Sequence, residues 1–401
     1  DGSAEVQKSE EVQQTTEPVI LQPKENTTDL RYRAPITPRI AKSQHSMPKL
    51  LKTALRAYQQ EGFEWSKQAS IEVIPGVLNA DEQGLGKTLQ ALSFLAWMQE
   101  QMGASPGSAG GPILVVAPVS LLRNWEAEVE QHFERPGLGV PIRLYGDGLA
   151  AFKRPSMAGK DIDDAQDHLD LSLIMQAVEE NRAHRMWVIT TYNTLTNYQH
   201  SLGKIPFSAI VFDEIQALKN PGTLAAKAAK SMKADFRIGL TGTPVENTID
   251  DMWAITDQLW PGYLDALQSF RDTFDSAGPS PEQLRQLHDL IFTDQEDHSK
   301  IGIRRLKQYA APDLPEKQRL LHPGLMPLSQ ATAYDDARLA FANSKGFGAM
   351  LKVLHRIRGV SLHPDPTMIE GFDEASARLR ATLSVLDGVK EANERALIFI
   401  E

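Results

Sequence analysis

The stretch "GVLNADEQGLGKTLQAL", Gly76–Leu92, runs from a short apolar segment through a glycine turn into an apolar helical pattern. Strand, loop, helix is the order it spells, and that order sets the fold class. Backbone N–H groups in such a turn, with the first turn of a helix behind them, can surround an anion. Gly84 and Gly86 accept backbone angles that other residues resist. Lys87 can reach phosphate oxygens, and the hydroxyl of Thr88 can ligate Mg2+. Asp81 and Glu82 raise a difficulty, because two carboxylates open a loop suited to anions. They are tolerable if the amides point inward while the side chains point outward. Asp81 also stands where a phosphate loop usually has its first glycine. Taken alone, the stretch fits a glycine-rich helix cap as well.

Further along, strand and helix alternate. "PILVVAP", "IRLYG", "MWVITTY", "AIVFDE" and "FRIGLTGTP" are strand candidates, each followed by a helical or turn segment. Leu89, Leu92 and Leu95 share one face of the helix after the glycine turn, and Leu121–Phe133 forms a second helix. Continuous Val/Ile/Leu strands joined by helices predict a parallel sheet covered on both faces. The stretch from Asp147 to Arg185 is less regular and includes the acidic "KDIDDAQDHLD", read as a surface insertion, and Gly103–Gly111 is a flexible break. Beyond Trp260, Pro-bounded helices such as "SPEQLRQLHDLIF" and "GAMLKVLHRIRGV" take over. The closing "ERALIFIE" reads as the opening strand of another α/β unit. Four segments are expected: a polar, extended lead-in over 1–48, an α/β lobe over 49–262, a helical region over 263–374 and the start of a second lobe over 375–401.

Two more motifs end apolar strands. "AIVFDEIQ" puts Asp213 and Glu214 at the carboxyl end of a strand, where a parallel sheet meets its ligands. One acid there can hold Mg2+ while its neighbour polarises a water for in-line attack on a γ-phosphate. The same pair would also suit the N-cap of the next helix. "LTGTPVEN" adds the hydroxyls of Thr241 and Thr243 at the same edge, where they can sense a γ-phosphate, or simply end a strand in a turn.

"DEQGLGKT", "DEIQ" and "LTGTPVEN", in this order and spacing, resemble motifs I, II and III of helicase superfamily two, and most of all its Swi/Snf-type DNA-translocating ATPases. "LRAYQQEGFEW" is similar to the family's adenine-contacting segment, which assigns the base to Gln59. "LVVAPVSLLRNWEAE" and "ITTYNTL" resemble its motifs Ia and Ib, implying DNA-backbone contacts at Pro118, Ser120, Asn124, Thr190 and Thr191. "IRRLKQYAAPDLPEKQ", "LHRIRGVSLHPD" and "RALIFIE" resemble the stretches that leave the first lobe's helical protrusion, precede the second lobe and open it. The resemblance implies a RecA-like first lobe, a helical protrusion and the first strand of a second RecA-like lobe.

It also implies DNA-stimulated hydrolysis of ATP with Mg2+, driving translocation on duplex DNA and remodelling of DNA–protein complexes. The nucleotide would lie on Gly84, Leu85, Gly86, Lys87 and Thr88, the metal on Thr88 and Asp213, the attacking water on Glu214, and coupling on Gln216, Thr241 and Thr243. The sequence departs from the pattern at Gln83, where Met is usual, at Ala57, where Pro is usual, and at Ile215–Gln216, where Ala-His is usual. The family's arginine fingers belong to the second lobe, so hydrolysis is assigned to the full-length protein. Arg304 and Arg305 are read as salt-bridged surface residues. A strand-separating DNA or RNA helicase and a nucleotide-gated binding module are the competing readings.

Composition narrows the field. A chain of 401 residues without cysteine has neither disulfides nor thiolate metal sites, which fits a reducing compartment. Its ten His show no HExxH spacing, against a metal hydrolase. No apolar run approaches the roughly 18 residues of a membrane span. The polar start from Asp1 predicts no signal peptide, and the missing initiator Met reads as a fragment or a processed chain. A cytoplasmic setting is expected, nucleoid-associated in a prokaryote or nuclear in a eukaryote. The short inter-lobe segment and the DEIQ form lean towards a prokaryotic member. The net charge of −10 argues against indiscriminate coating of nucleic acid. Residues 31–60 nonetheless hold seven cations and no acid, a solvated face or a phosphate-contacting patch.

Overall fold

A computed structural model describes residues 47–104, 110–154, 159–276, 278–313, 319–342 and 347–399. The lead-in up to residue 46 and most of the Gly103–Gly111 break lie outside the described residues. The chain divides into two compact units, one running to Leu314 and one starting at Pro315.

The first unit is built on seven parallel strands: β1 (Gly76–Asn79), β2 (Ile113–Val116), β3 (Val140–Leu144), β4 (Met186–Thr190), β5 (Phe207–Asp213), β6 (Ala234–Leu240) and β7 (Gly302–Ile303). Their order across the sheet is β3-β4-β2-β5-β6-β1-β7. All residues of β1, β2 and β5 are buried, on both sides of the pleat. Successive strand side chains point to opposite faces, so both faces are covered. The expected RecA-like parallel sheet is present. Edge strand β3 differs, with Val140 exposed.

The helix Lys87–Ala104 is buried almost all round, polar Gln90 and Ser93 included, and Phe94, Leu95 and Trp97 are fully buried. The one-faced stripe expected there is therefore too narrow, because this helix is enclosed. Phe94 packs its ring 5.1 Å from that of Phe236. Each large apolar side chain so buried contributes about 1.5–3 kcal/mol.

Register decides the site. Asn79 is aligned with Leu240 on one side and Ile303 on the other, and Leu240 is aligned with Asp213. One row earlier, Val116 is aligned with Phe212 and Thr190. The carboxyl ends of all these strands therefore form a single edge. β7 had no signal in the sequence, since two residues carry no periodicity.

In the insertion, the acidic run is only partly a surface feature. Asp161 is fully buried and accepts hydrogen bonds from the backbone of His168 and from the backbone and hydroxyl of Ser201. The carboxylate satisfies backbone donors that would otherwise be stranded.

Among the described residues the second unit holds three helices, Leu328–Ala342, Phe347–Leu362 and Ala377–Glu391. Buried Gln330 links them, donating to the carbonyl of Val360 at 3.0 Å and accepting from the backbone of Ala377 at 3.0 Å. Of the opening strand expected over 394–401, residues 394–399 have no regular secondary structure and the last two lie outside the described residues.

Candidate functional site

The glycine turn connects β1 to the helix that starts at Lys87. Gly84 and Gly86 have φ of +86° and +74°, so the turn uses the left-handed region twice within three residues. A Cβ on Gly86 would stand 2.5 Å from Nε2 of Gln59. That amide donates to the carbonyl of Leu85 at 3.3 Å, and its oxygen accepts the backbone N–H of Arg56 at 3.0 Å. Gln59 thus sits directly on the turn. Leu85 is buried under Tyr58 and Ala311.

The two troublesome carboxylates face away from the turn's amides. Asp81 is fully buried and is held by Arg305, with Nε 3.0 Å from Oδ1 and Nη2 2.6 Å from Oδ2. Glu82 accepts the backbone N–H of Lys307 at 2.8 Å. Arg305 is therefore no surface residue. Its side chain is 20% exposed, and it also reaches Gln90 at 2.9 Å and the carbonyl of Tyr58. Arg304 is exposed as expected, but it makes no ion pair among the described residues.

Lys87 donates its ammonium to the carbonyl of Asp81 at 3.0 Å, spanning the loop that it closes. Burial holds its pKa below the usual lysine range, against the pull of Glu214, Asp81 and Asp213. Asp213 is buried too, and burial pushes its carboxyl up, opposed by a hydrogen bond from Trp125 and reinforced by Glu214. The ammonium and both acids therefore lie within electrostatic reach of one another, on the same edge of the sheet. Thr88 is half-buried one residue past the turn.

Glu214 adopts a left-handed backbone, φ 51° and ψ 53°, at the start of the short helix Ile215–Leu218, and makes no capping bond with its side chain. A non-glycine residue there is uncommon. Gln216 donates to it at 2.8 Å, while its buried Oε1 has no partner among the described residues.

Thr241 is fully buried. It donates its backbone N–H to the carbonyl of Asn79 at 3.1 Å and accepts that of Thr243 at 3.0 Å. A Cβ on Gly242 would stand 2.7 Å from Gln83, so this turn abuts the glycine loop. Thr243 is exposed.

The candidate DNA contacts divide. Pro118 precedes the helix Val119–His132, and Ser120 and Asn124 are exposed on it one turn apart. Thr191 caps the helix Tyr192–Asn197. Thr190 departs from expectation: it is fully buried, and its hydroxyl donates to the carbonyl of Leu144 at 3.0 Å. Its side chain points into the sheet and offers nothing to a ligand. The sequence did not single out Trp125, Tyr192 or Lys307, and it assigned Arg305 to the surface. The indole beside Asn124 was visible in "LLRNWEAE", but its partner was not.

A glycine loop, an acid pair with Asp213 buried and Glu214 half-buried, and a threonine turn on adjacent strand ends define a nucleotide-loop α/β protein. The SNF2-related domain matches residues 58–365, and the chain belongs to that family. It is 34% identical to Zorya protein ZorD of Escherichia coli O139:H28 over 368 residues, 86% of this chain and 32% of that protein. It is 27% identical to the putative ATP-dependent helicase/translocase YwqA of Bacillus subtilis over 379 residues, 89% of this chain and 36% of that one. The chain thus spans about a third of the length of each of these relatives. Among solved structures, the Sulfolobus solfataricus SWI2/SNF2 ATPase core in complex with dsDNA is similar, with a TM-score of 0.51 and 26% identity over 87% of this chain and 67% of that one.

Proposed function

We propose that this chain is the ATP-binding half of a DNA-stimulated, Mg2+-dependent ATPase that moves along duplex DNA and remodels DNA-bound protein complexes. The observation that carries this reading is the meeting of Lys87, Asp213 and Glu214 in one electrostatic neighbourhood beside two left-handed glycines. Polyphosphate fits there, since both loop carboxylates are turned away to Arg305 and Lys307. Thr88 and Asp213 supply oxygen donors, the ligands a hard cation prefers. Bound Mg2+ would neutralise charge on the β- and γ-oxygens.

In this reading the amides from Gly84 to Thr88 cradle the phosphates, and Lys87 leaves the Asp81 carbonyl to reach them. Gln59 reads the base. Glu214, set by its left-handed backbone and by Gln216, orients the attacking water. Gln216, Thr241 and Thr243 pass on the state of the γ-phosphate. Ser120, Asn124 and Thr191 touch the DNA backbone, which suits a motor that must move regardless of sequence. Support for duplex DNA comes from the Sulfolobus core, which was solved with it.

The test is ATP turnover by the full-length protein, with duplex DNA, single strands and RNA compared as activators. Stimulation by duplex that Lys87→Ala abolishes is expected. Duplex-stimulated turnover that survives Lys87→Ala overturns the assignment, and stimulation by single strands or RNA alone favours a strand-separating helicase.

A further inference from the structure

Lys307 enters the site as described so far only through its backbone N–H, yet its side chain ends against the glycine turn. Its Cε and Nζ both stand 3.1 Å from the position a Cβ would take on Gly84. Its backbone N–H is bonded to Glu82, and the backbone N–H of Glu82 donates to the carbonyl of Arg305 at 3.0 Å. The segment after β7 is therefore fastened to the turn at two successive loop residues, Asp81 and Glu82. The short helix Lys307–Ala310 and Ala311 continue over it, with Ala311 buried against Leu85 and Tyr58.

The acids at this turn are engaged by groups other than the Lys307 ammonium, Glu214 and Asp213 with Lys87 among them. Lys307 is half-buried, and its ammonium has no carboxylate partner among the described residues. The Lys87 ammonium is close enough to be disfavoured by it. Of the two acids in the loop, Asp81 is taken by Arg305, while Glu82 spends an oxygen on a backbone N–H. Two like charges brought together in partial burial raise the energy of the free protein, and an anion between them removes that cost.

We infer that Lys307 is a second cation for the phosphates of a bound nucleotide, delivered to the loop from the segment that follows β7. The inference rests on the nucleotide reading above. Arg305 acts at one remove: by neutralising Asp81 and fixing the segment, it positions Lys307.

Titration of the chain with a fluorescent ADP in the presence of Mg2+ tests this, with Lys307→Met, Lys307→Arg and Lys87→Ala beside the parent. Loss of one charged contact to phosphate is expected to weaken ADP by about tenfold in Lys307→Met, with Lys307→Arg within about threefold of the parent. Thermal unfolding of the free proteins reports the fold, and Lys307→Met should melt no lower than the parent, because it relieves repulsion. Unchanged ADP affinity in Lys307→Met overturns the inference. So does Lys307→Arg binding as weakly as Lys307→Met, since the charge would then be irrelevant. A parent that does not bind ADP sinks the nucleotide reading itself. Loss in Lys87→Ala with none in Lys307→Met sinks only the role of Lys307.

Discussion

Trp125 donates its indole N–H to Oδ2 of Asp213 at 2.8 Å, across 88 residues of sequence, and both groups are buried. Tyr192 donates its hydroxyl to the backbone carbonyl of the same aspartate at 2.8 Å. Trp125 follows Asn124 and Tyr192 follows Thr191. Each of the two segments proposed to touch DNA thus sends a neighbouring side chain to the acid proposed to hold Mg2+. This is a physical route by which DNA on the outer surface could adjust the nucleotide site.

Trp125→Phe keeps a buried six-membered aromatic ring but removes the N–H together with the rest of the pyrrole ring. One oxygen of a buried carboxylate is left unpaired, which should lower stability by about 1.5–3 kcal/mol in denaturant titrations. The expected kinetic effect is a loss of about tenfold in DNA-stimulated turnover of the full-length protein, equivalent to about 1.4 kcal/mol of barrier. DNA affinity should stay within about twofold, since Ser120 and Asn124 are untouched. Weakened DNA binding with unchanged maximal turnover would disprove the route.

Gly86→Ala meets two obstacles, a φ of +74° and a Cβ 2.5 Å from the Gln59 amide. A left-handed alanine costs about 1–2 kcal/mol, and relieving the clash must move Gln59 or the turn. Nucleotide affinity is expected to fall by at least about tenfold, measured by calorimetric titration. Affinity equal to the parent's would mean that the turn does not hold the ligand.

Asp81→Ala strands the Arg305 guanidinium beside the loop. Removing one partner of a buried pair costs about 3–5 kcal/mol, because the other charge remains. The double variant Asp81→Leu with Arg305→Leu should regain much of that loss, since neither charge of the pair is left without its partner. Denaturant titration separates the two. An Asp81→Ala protein within about 1 kcal/mol of the parent would show the ion pair to be dispensable.

Glu126 has a pH signature. Its hydrogen bonds from Arg143, at 2.9 Å from Nε and 2.7 Å from Nη2, hold its carboxyl below the ordinary glutamate range, helped by Tyr145. A depressed folded pKa contributes stability above the unfolded pKa and loses it as pH falls through the folded one. Arg143 is half-exposed, so the contribution is only about 1 kcal/mol. Glu126→Gln should be less stable than the parent at pH 7, with the gap closing on acidification below the glutamate range. A gap that persists unchanged in acid would rule out the ion pair as its origin.

The strands that carry the site were legible because fully buried parallel strands read as unbroken apolar runs. "GVLN" and "AIVFD" announce both their burial and where they stop, and a parallel sheet puts those stops at one edge. Partnerships across the fold were not legible. Arg305 looks like any surface arginine until β7 aligns Ile303 with Asn79 and brings it to Asp81, and a two-residue strand leaves no pattern. Trp125 reads as a core side chain, since nothing in its own helix names Asp213. Thr190 misled for the converse reason: the motif fixes its place in the chain, while the pleat decides that its hydroxyl faces Leu144.

The most direct measurement is a crystal structure of the chain with Mg2+ and a non-hydrolysable ATP analogue. The expected result is β- and γ-phosphates on the amides between Gly84 and Thr88, with Lys87 released from the Asp81 carbonyl and the metal between the Thr88 hydroxyl and Asp213. Triphosphate density away from the glycine turn, or a metal bound without either of those two residues, would contradict the account.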